Sequence, residues 1–254
     1  MNKIFLFLAL ITLCSCATEY TEGKGPVVEA QKVEIDEFDQ IIIHWPYKVE
    51  LKQGDISSVA ITSEQNIIDL TNKKVVDGVW DLKLPQDDYR NITPVVYITI
   101  PNVSNITTLS KSQLVISPWD TKNNDITFKI EGGRVIGKSP FMAKNIHIST
   151  TNVGEIAIPK ITSDSIFIHS DNSREISLQG TANYVHINQI GNGTVNMPGV
   201  KADTVIVNQK NASKAIVYAN KLLDITIDGY GKVKYYGGAE VKENINGNGI
   251  ITKG

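Results

Sequence analysis

Cysteine is missing from almost the whole of this 254-residue chain: only Cys14 and Cys16 occur, both at the extreme N-terminus. The body therefore has neither a disulfide framework nor a thiolate metal site. After Leu13 no apolar run is long enough to cross a bilayer as a helix. Like charges are never blocked together, and a net charge of -2 leaves no basic stripe, which argues against nucleic acid as a partner. His-Glu-Xaa-Xaa-His, Gly-Xaa-Ser-Xaa-Gly and a glycine-rich phosphate loop followed by Lys are all absent. No cofactor and no metal are expected. Aromatic residues make up only 7% of the chain, so any that gather on one face call for an explanation.

What the chain does have is a repeat of about twenty residues running from Ile126 to the C-terminus. Its first strands begin at Ile126, Ile146, Ile166, Val185, Val205 and Ile225, with β-branched residues alternating as in Ile166-Phe167-Ile168 and Val185-His186-Ile187. Alternate strand residues point the same way, so Ile166 with Ile168, or Val185 with Ile187, form an inward pair. Second strands repeat the scheme with Ile156 and Ile158, Ile176 and Leu178, Val195 and Met197, Ile216 and Tyr218, and Val233 and Tyr235. Just before the first strands sit Ala143, Ser163, Ala182, Ala202 and Leu222, mostly small, as a tight corner requires. Between the strands fall Asn152-Val153-Gly154, Asp171-Asn172-Ser173, Gly191-Asn192-Gly193, Asn211-Ala212-Ser213, Gly229-Tyr230-Gly231 and Gly247-Asn248-Gly249, rich in residues that tolerate positive φ. One such unit cannot bury its apolar side until its neighbours stack on it. The pattern predicts an all-β chain, a β-solenoid of right-handed β-helix type with roughly 20-residue coils; an antiparallel sandwich with short hairpins is the alternative.

Residues 33–119 also read as short strands, less regularly spaced, with prolines at their margins and a weakly patterned stretch from Gln65 to Lys74 that suits a loop or one helical turn. The expected organisation is a leader over 1–15, a tether over 16–32, an N-terminal β region over 33–119 and the repeat solenoid over 120–254, or one continuous domain over 33–254. The leader has Lys3 as its positive flank and an apolar run from Ile4 to Leu13, the layout of an export signal. Leu13-Cys14-Ser15-Cys16 resembles a bacterial lipobox, which implies cleavage after Ser15 and a lipid on Cys16 that anchors the chain to a membrane. Cys14, with the large Leu13 before it, is the rival acceptor, and an ordinary secretory signal is the bland alternative.

Two stretches carry a family resemblance. Phe38 to Gly54, with Ile41-Ile42-Ile43, Tyr47-Lys48-Val49-Glu50-Leu51 and Gln53-Gly54, resembles the opening of the "Putative auto-transporter adhesin, head GIN domain" family. Ile227-Asp228-Gly229-Tyr230-Gly231-Lys232-Val233, Tyr236-Gly237-Gly238 and Ile245-Asn246-Gly247-Asn248-Gly249 resemble its closing repeats. The resemblance covers about residues 33–254 and departs from the paired glycines at Asn152-Val153-Gly154 and Asp171-Asn172-Ser173. It implies a β-solenoid on secreted or lipid-anchored bacterial proteins, common in Bacteroidetes, and an outer-membrane, periplasmic or cell-surface location.

Inward placement of the Ile and Val ladder exposes His147, Phe167, His186, Ile206 and Thr226 in one column, with Asn145, Ser165, Tyr184, Thr204 and Asp224 beside it. His147, Phe167, Tyr184 and His186 form the candidate contact surface, suited to a glycan, a protein partner or a second copy of the chain. Coils stack about 4.8 Å apart, so the backbones at His147 and His186 are about 10 Å apart, too far for direct sharing of a zinc ion. Of the remaining histidines, His44 and His169 suit a wet sheet face, and Asp87 with Asp88 forms a solvated loop pair. Asp164-Ser165-Ile166 and Asp203-Thr204-Val205 resemble the short acceptor of Bacteroidetes O-glycosylation, which makes Ser165 and Thr204 candidate modification sites. The expected function is binding, adhesion or envelope scaffolding without catalysis. A carbohydrate-processing enzyme of β-helix type and a purely structural envelope protein are the alternatives. Metabolic labelling with a palmitate analogue is expected to mark the wild-type protein and to be lost in Cys16→Ser; label that persists, or that depends on Cys14 alone, contradicts the anchor.

Overall fold

The computed structural model describes residues 20–85, 88–121, 123–138 and 140–254. The expectations for the leader, Cys14, Cys16 and Asp87 fall outside these residues. The chain is a β-solenoid of about 7 turns whose parallel coils recur about every 20 residues, with 68% of the described residues in strands. Function therefore has to be read from strand faces and their edges.

The register shows what drives the stacking. On the first wall Ile41, Ile106, Phe128, Ile148, Ile168, Ile187, Val207 and Ile225 lie in one inward column, each opposite the next. On the second wall Val49, Leu114, Val135, Ile156, Ile176, Val195, Ala215 and Val233 do the same. All of these are at most 2% exposed. Burying one such Ile or Val side chain contributes roughly 1.5–3 kcal/mol, and each is flanked by its own kind above and below. A third, shorter wall carries Phe141 and Ile161 in register, and its inward corner is filled by Ala143, Ser163, Ala182 and Ala202. Next to the turns the first wall becomes polar inside, at Thr150, Ser170, Gln189 and Gln209. There the Gln209 side-chain amide donates to the Gln189 carbonyl oxygen at 2.9 Å, and that of Gln189 to the Lys214 backbone carbonyl at 3.1 Å.

The turns between first and second walls obey two separate demands. Their first place has positive φ at Gly132, Asn152, Asn172, Gly191, Asn211, Gly229 and Gly247, which explains the run of Gly and Asn. Their last place points into the core: a Cβ on Gly231 would lie within 2.4 Å of the Gln209 side-chain oxygen, and one on Gly154 within 2.5 Å of the Ile130 carbonyl oxygen. Only Gly or a buried Ser such as Ser173 or Ser213 occurs in that place.

Three assignments made from spacing are corrected. Val205 pairs with Leu223 and Val207 with Ile225, so Ile225 lies one inward place further along its strand than expected. Ala219, not Leu222, follows Ala202 at the corner, and Ala215 and Val217 face inward while Ile216 and Tyr218 face out. From Val205 to Leu223 and from Leu223 to Val241 the repeat is 18 residues, against 20 from Val185 to Val205. Ala215, however, lies 20 residues after Val195, so that the expectation of Ile216 is off by one, a slip that turns every side chain to the other face.

The ladder also reaches further toward the N-terminus than the regular spacing. Strands Gln40–Ile43 and Lys48–Gln53 stack on Asn105–Leu109 and Gln113–Ile116, which in turn stack on Ile126–Glu131 and Arg134–Gly137 without a break at Asp120. Beyond them the pairing becomes antiparallel, with Val27–Val33 on Ser58–Glu64 and Ser58–Glu64 on Val95–Ile100. Part of the stretch read as a tether is thus in the sheet, and Thr21 pairs with Tyr89. Helix Gln65–Leu70 packs Ile67 and Ile68 over this end of the core beside the fully buried Trp80, whose indole N–H donates to the Asn72 carbonyl at 2.9 Å. Tyr47 meets the Thr71 hydroxyl at 2.7 Å, and burial holds its phenol protonated well above the ordinary range. These elements close the first coil, as a solenoid requires.

Denaturant unfolding of Ile187→Asp is expected to show a loss of several kcal/mol, because the carboxylate has no partner between Ile168 and Val207. Val153, a β-branched residue in the middle place of its turn, has φ 61 and is 60% exposed, so Val153→Asn should raise stability by about 1 kcal/mol. An unchanged midpoint for either variant contradicts the register or the turn geometry.

Candidate contact surface

The outward places of the first wall form straight columns because the inward ones do. Thr127, His147, Phe167, His186, Ile206 and Asp224 occupy one column. Asn145, Ser165, Tyr184, Thr204 and Leu222 occupy the column beside it. Asp224 and Thr226 therefore lie one column away from their expected places, for the same shortened coil. The four residues proposed as a surface do come together. His147 stacks on Phe167 with ring centroids 4.9 Å apart and planes 9° from parallel. Phe167 meets Tyr184 at 5.9 Å in a tilted contact, and Tyr184 meets His186 edge-on at 6.4 Å. All four are half-buried, so each shows part of a ring to solvent while its neighbours cover the rest.

On the other side of this aromatic strip runs a polar column that spacing alone did not single out: Lys129, Ser149, His169, Asn188, Asn208 and Thr226. The Asn208 amide donates to the Asn188 carbonyl oxygen at 3.0 Å and reaches His186 Nε2 at 3.1 Å, which ties the two strips together. Two shallow depressions lie along this wall. One of about 220 Å³ includes His147, Phe167 and His186, one of about 410 Å³ includes Asn208, Lys210 and Asp228, and both include His169 and Asn188.

Ser165 and Thr204 flank Tyr184 on the adjacent coils, both half-buried and on the outward face. Asp203, next to Thr204, accepts a hydrogen bond from the Lys221 ammonium at 2.7 Å, which holds its carboxyl below the usual range. His44 lies elsewhere, at the capped end, bonded through Nε2 to Asp81 at 2.8 Å. Asp88 is half-exposed and lies 3.7 Å from Arg90. Among the described residues no group of three or more His, Cys, Asp or Glu is placed to hold a metal ion, and no helix is long and apolar enough to cross a membrane.

Comparison with known proteins places this architecture. A crystal structure from Parabacteroides distasonis, described as a putative lipid binding protein, superposes with a TM-score of 0.83 at 21% identity, covering 93% of this chain and 100% of that one. A putative adhesin from Parabacteroides merdae superposes with a TM-score of 0.84 at 18% identity, covering 92% and 99%. A putative adhesin from Bacteroides fragilis gives 0.67 at 16% identity, covering 92% and 99%. At these identities the likeness is one of fold. No curated protein matches the chain. The family model "Putative auto-transporter adhesin, head GIN domain" matches residues 37–239, from the capping strands to the closing coils, and the chain belongs to that family.

Proposed function

We propose that the protein is an adhesin of the bacterial envelope, held to a membrane by a lipid on Cys16, that makes contact with its partner through the first wall of the solenoid and performs no catalysis. The observation that carries this reading is the aromatic strip. In a chain with 7% aromatic residues, two aromatic rings and two imidazoles from successive coils meet on one outward face. The register stacks residues far apart in sequence at about 4.8 Å intervals, so the strip is flat, rigid and extended along the solenoid axis. Such a surface suits an extended partner better than a compact ligand, which favours a concave pocket. Family membership and the names of the structural neighbours support an adhesive role and an envelope or extracellular setting. The lipid-binding description of one neighbour finds less support here, because the buried Ile, Val and Leu columns fill the interior where an acyl chain would lie.

The hydroxyls of Ser165 and Thr204 carry a linked proposal. A glycan on either would stand beside Tyr184 and shield its ring, so intact-mass spectrometry of the native protein should relate occupancy to lost contact. The main test is the double variant Phe167→Ser with Tyr184→Ser. It is expected to melt within a few degrees of wild type, since both rings are half-buried, while adhesion of cells displaying it falls at least tenfold. Wild-type adhesion in a folded double variant contradicts the proposal, and so does global unfolding, which would make the strip interior packing.

A further inference from the structure

We infer that the ligand of this wall is an uncharged glycan chain lying along the solenoid axis over the aromatic strip and the polar column beside it that holds Asn188 and Asn208. The inference rests on the contact-surface reading above and narrows it to one chemical class.

A sugar ring presents two kinds of surface: a face of C–H groups that packs on flat rings, and a rim of hydroxyls that each donate and accept. The wall offers both, side by side. His147 and Phe167, stacked with planes 9° from parallel, cover one another's faces and turn a row of C–H ring edges outward, an apolar strip against which the C–H face of a sugar can pack. One column across, His169, Asn188, Asn208 and Thr226 supply groups able to donate and accept, as a hydroxyl rim demands. The Asn188 and Asn208 amides are already aligned by their mutual bond at 3.0 Å, which lowers the entropic cost of engaging a ligand.

Charge points the same way. On the coils from Thr127 to Asp228, the charged groups in the aromatic and polar columns and in the two depressions are Lys129 and Lys210 against Asp224 and Asp228, two of each sign, and Lys210 and Asp228 are adjacent in register. A polyanionic chain would meet no excess of cations there. A peptide added as a strand is disfavoured as well, because the backbone groups of this wall are already committed to the coils above and below. The depression with His147, Phe167 and His186 lies between the aromatic strip and the polar column, the one with Lys210 and Asp228 lies on the far side of that column, and the column itself runs across the coils from Lys129 to Thr226. At about 4.8 Å per coil that is a length of about 24 Å, enough for several sugar units but far longer than one.

The test uses the full chain with cello-, malto-, xylo- and manno-oligosaccharides, each as the disaccharide and the hexasaccharide, and with polygalacturonate and heparin as acidic probes. Titration calorimetry and saturation-transfer NMR are expected to show at least one neutral hexasaccharide bound ten times or more tighter than its disaccharide. Asn188→Leu with Asn208→Leu should lower that affinity at least tenfold with the melting temperature kept; should this pair fail to fold, the exposed His169→Ala provides the same reading with a smaller loss. Free hexasaccharide should also compete with adhesion. Several outcomes overturn the inference: binding of the acidic probes only, affinity independent of chain length, or a dimer in solution that the Phe167 and Tyr184 substitutions dissolve. Absence of binding to every oligosaccharide while the Phe167 and Tyr184 double variant still abolishes adhesion overturns the glycan and leaves the contact surface standing with a protein partner. If adhesion is insensitive to that double variant too, both fail.

Discussion

In a parallel coil stack every residue faces the residue holding its own place one coil earlier, and the rest of this structure depends on that constraint. An inward place must be filled by a side chain that packs well against its like, and Ile, Val and Leu do so with little rotamer loss. The consequence runs outward as well. Once Ile148, Ile168, Ile187 and Val207 are held in line, the side chains between them are held in line on the opposite face. The order of the aromatic strip is therefore inherited from the core.

The corners follow from the same stacking. A turn that repeats in every coil must keep its left-handed place above the previous one, hence Gly or Asn, and must leave room for the last inward side chain of the strand, hence Gly or Ser. Where one coil has Gln209 as its last inward place, the corner of the next coil at Gly231 has no room for a Cβ. Where the last inward place of its own coil is Ser170, the corner tolerates Ser173, and the two hydroxyls bond at 2.6 Å. Turn composition is thus set by the inward residues of its own coil and of the coil before it.

Much of this was legible in the sequence, and the failures have physical causes. The alternation in Ile166-Phe167-Ile168 and Val185-His186-Ile187 admits only one inward face, so the ladder and the contact residues could be placed. Ala215-Ile216-Val217-Tyr218 is apolar at every place, so alternation says nothing, and only the register with Val195 and Val233 sets Ala215 inward. Leu223, Ile225 and Ile227 offer three equivalent inward residues, so a slide of two leaves the pattern unchanged and conceals the short coil. At the N-terminal end the antiparallel strand Ser58–Glu64 and the helix Gln65–Leu70 are inserted between stacked strands, which destroys the spacing while preserving the ladder. His169 looked like an isolated surface residue; its place in the polar column emerges only when Ser149 and Asn188 are aligned with it.

Stacking converts residues distant in sequence into one working face on the first wall, and everything proposed for this protein follows from that conversion. Covalent footprinting of the intact protein, free and attached to the surface it adheres to, tests this whatever the ligand proves to be. Protection concentrated at residues 147, 167, 184 and 186 and across 169–208 on the first wall, with the second and third walls unchanged, is the predicted result. Protection spread evenly over the solenoid, or confined to the second or third wall, would contradict it.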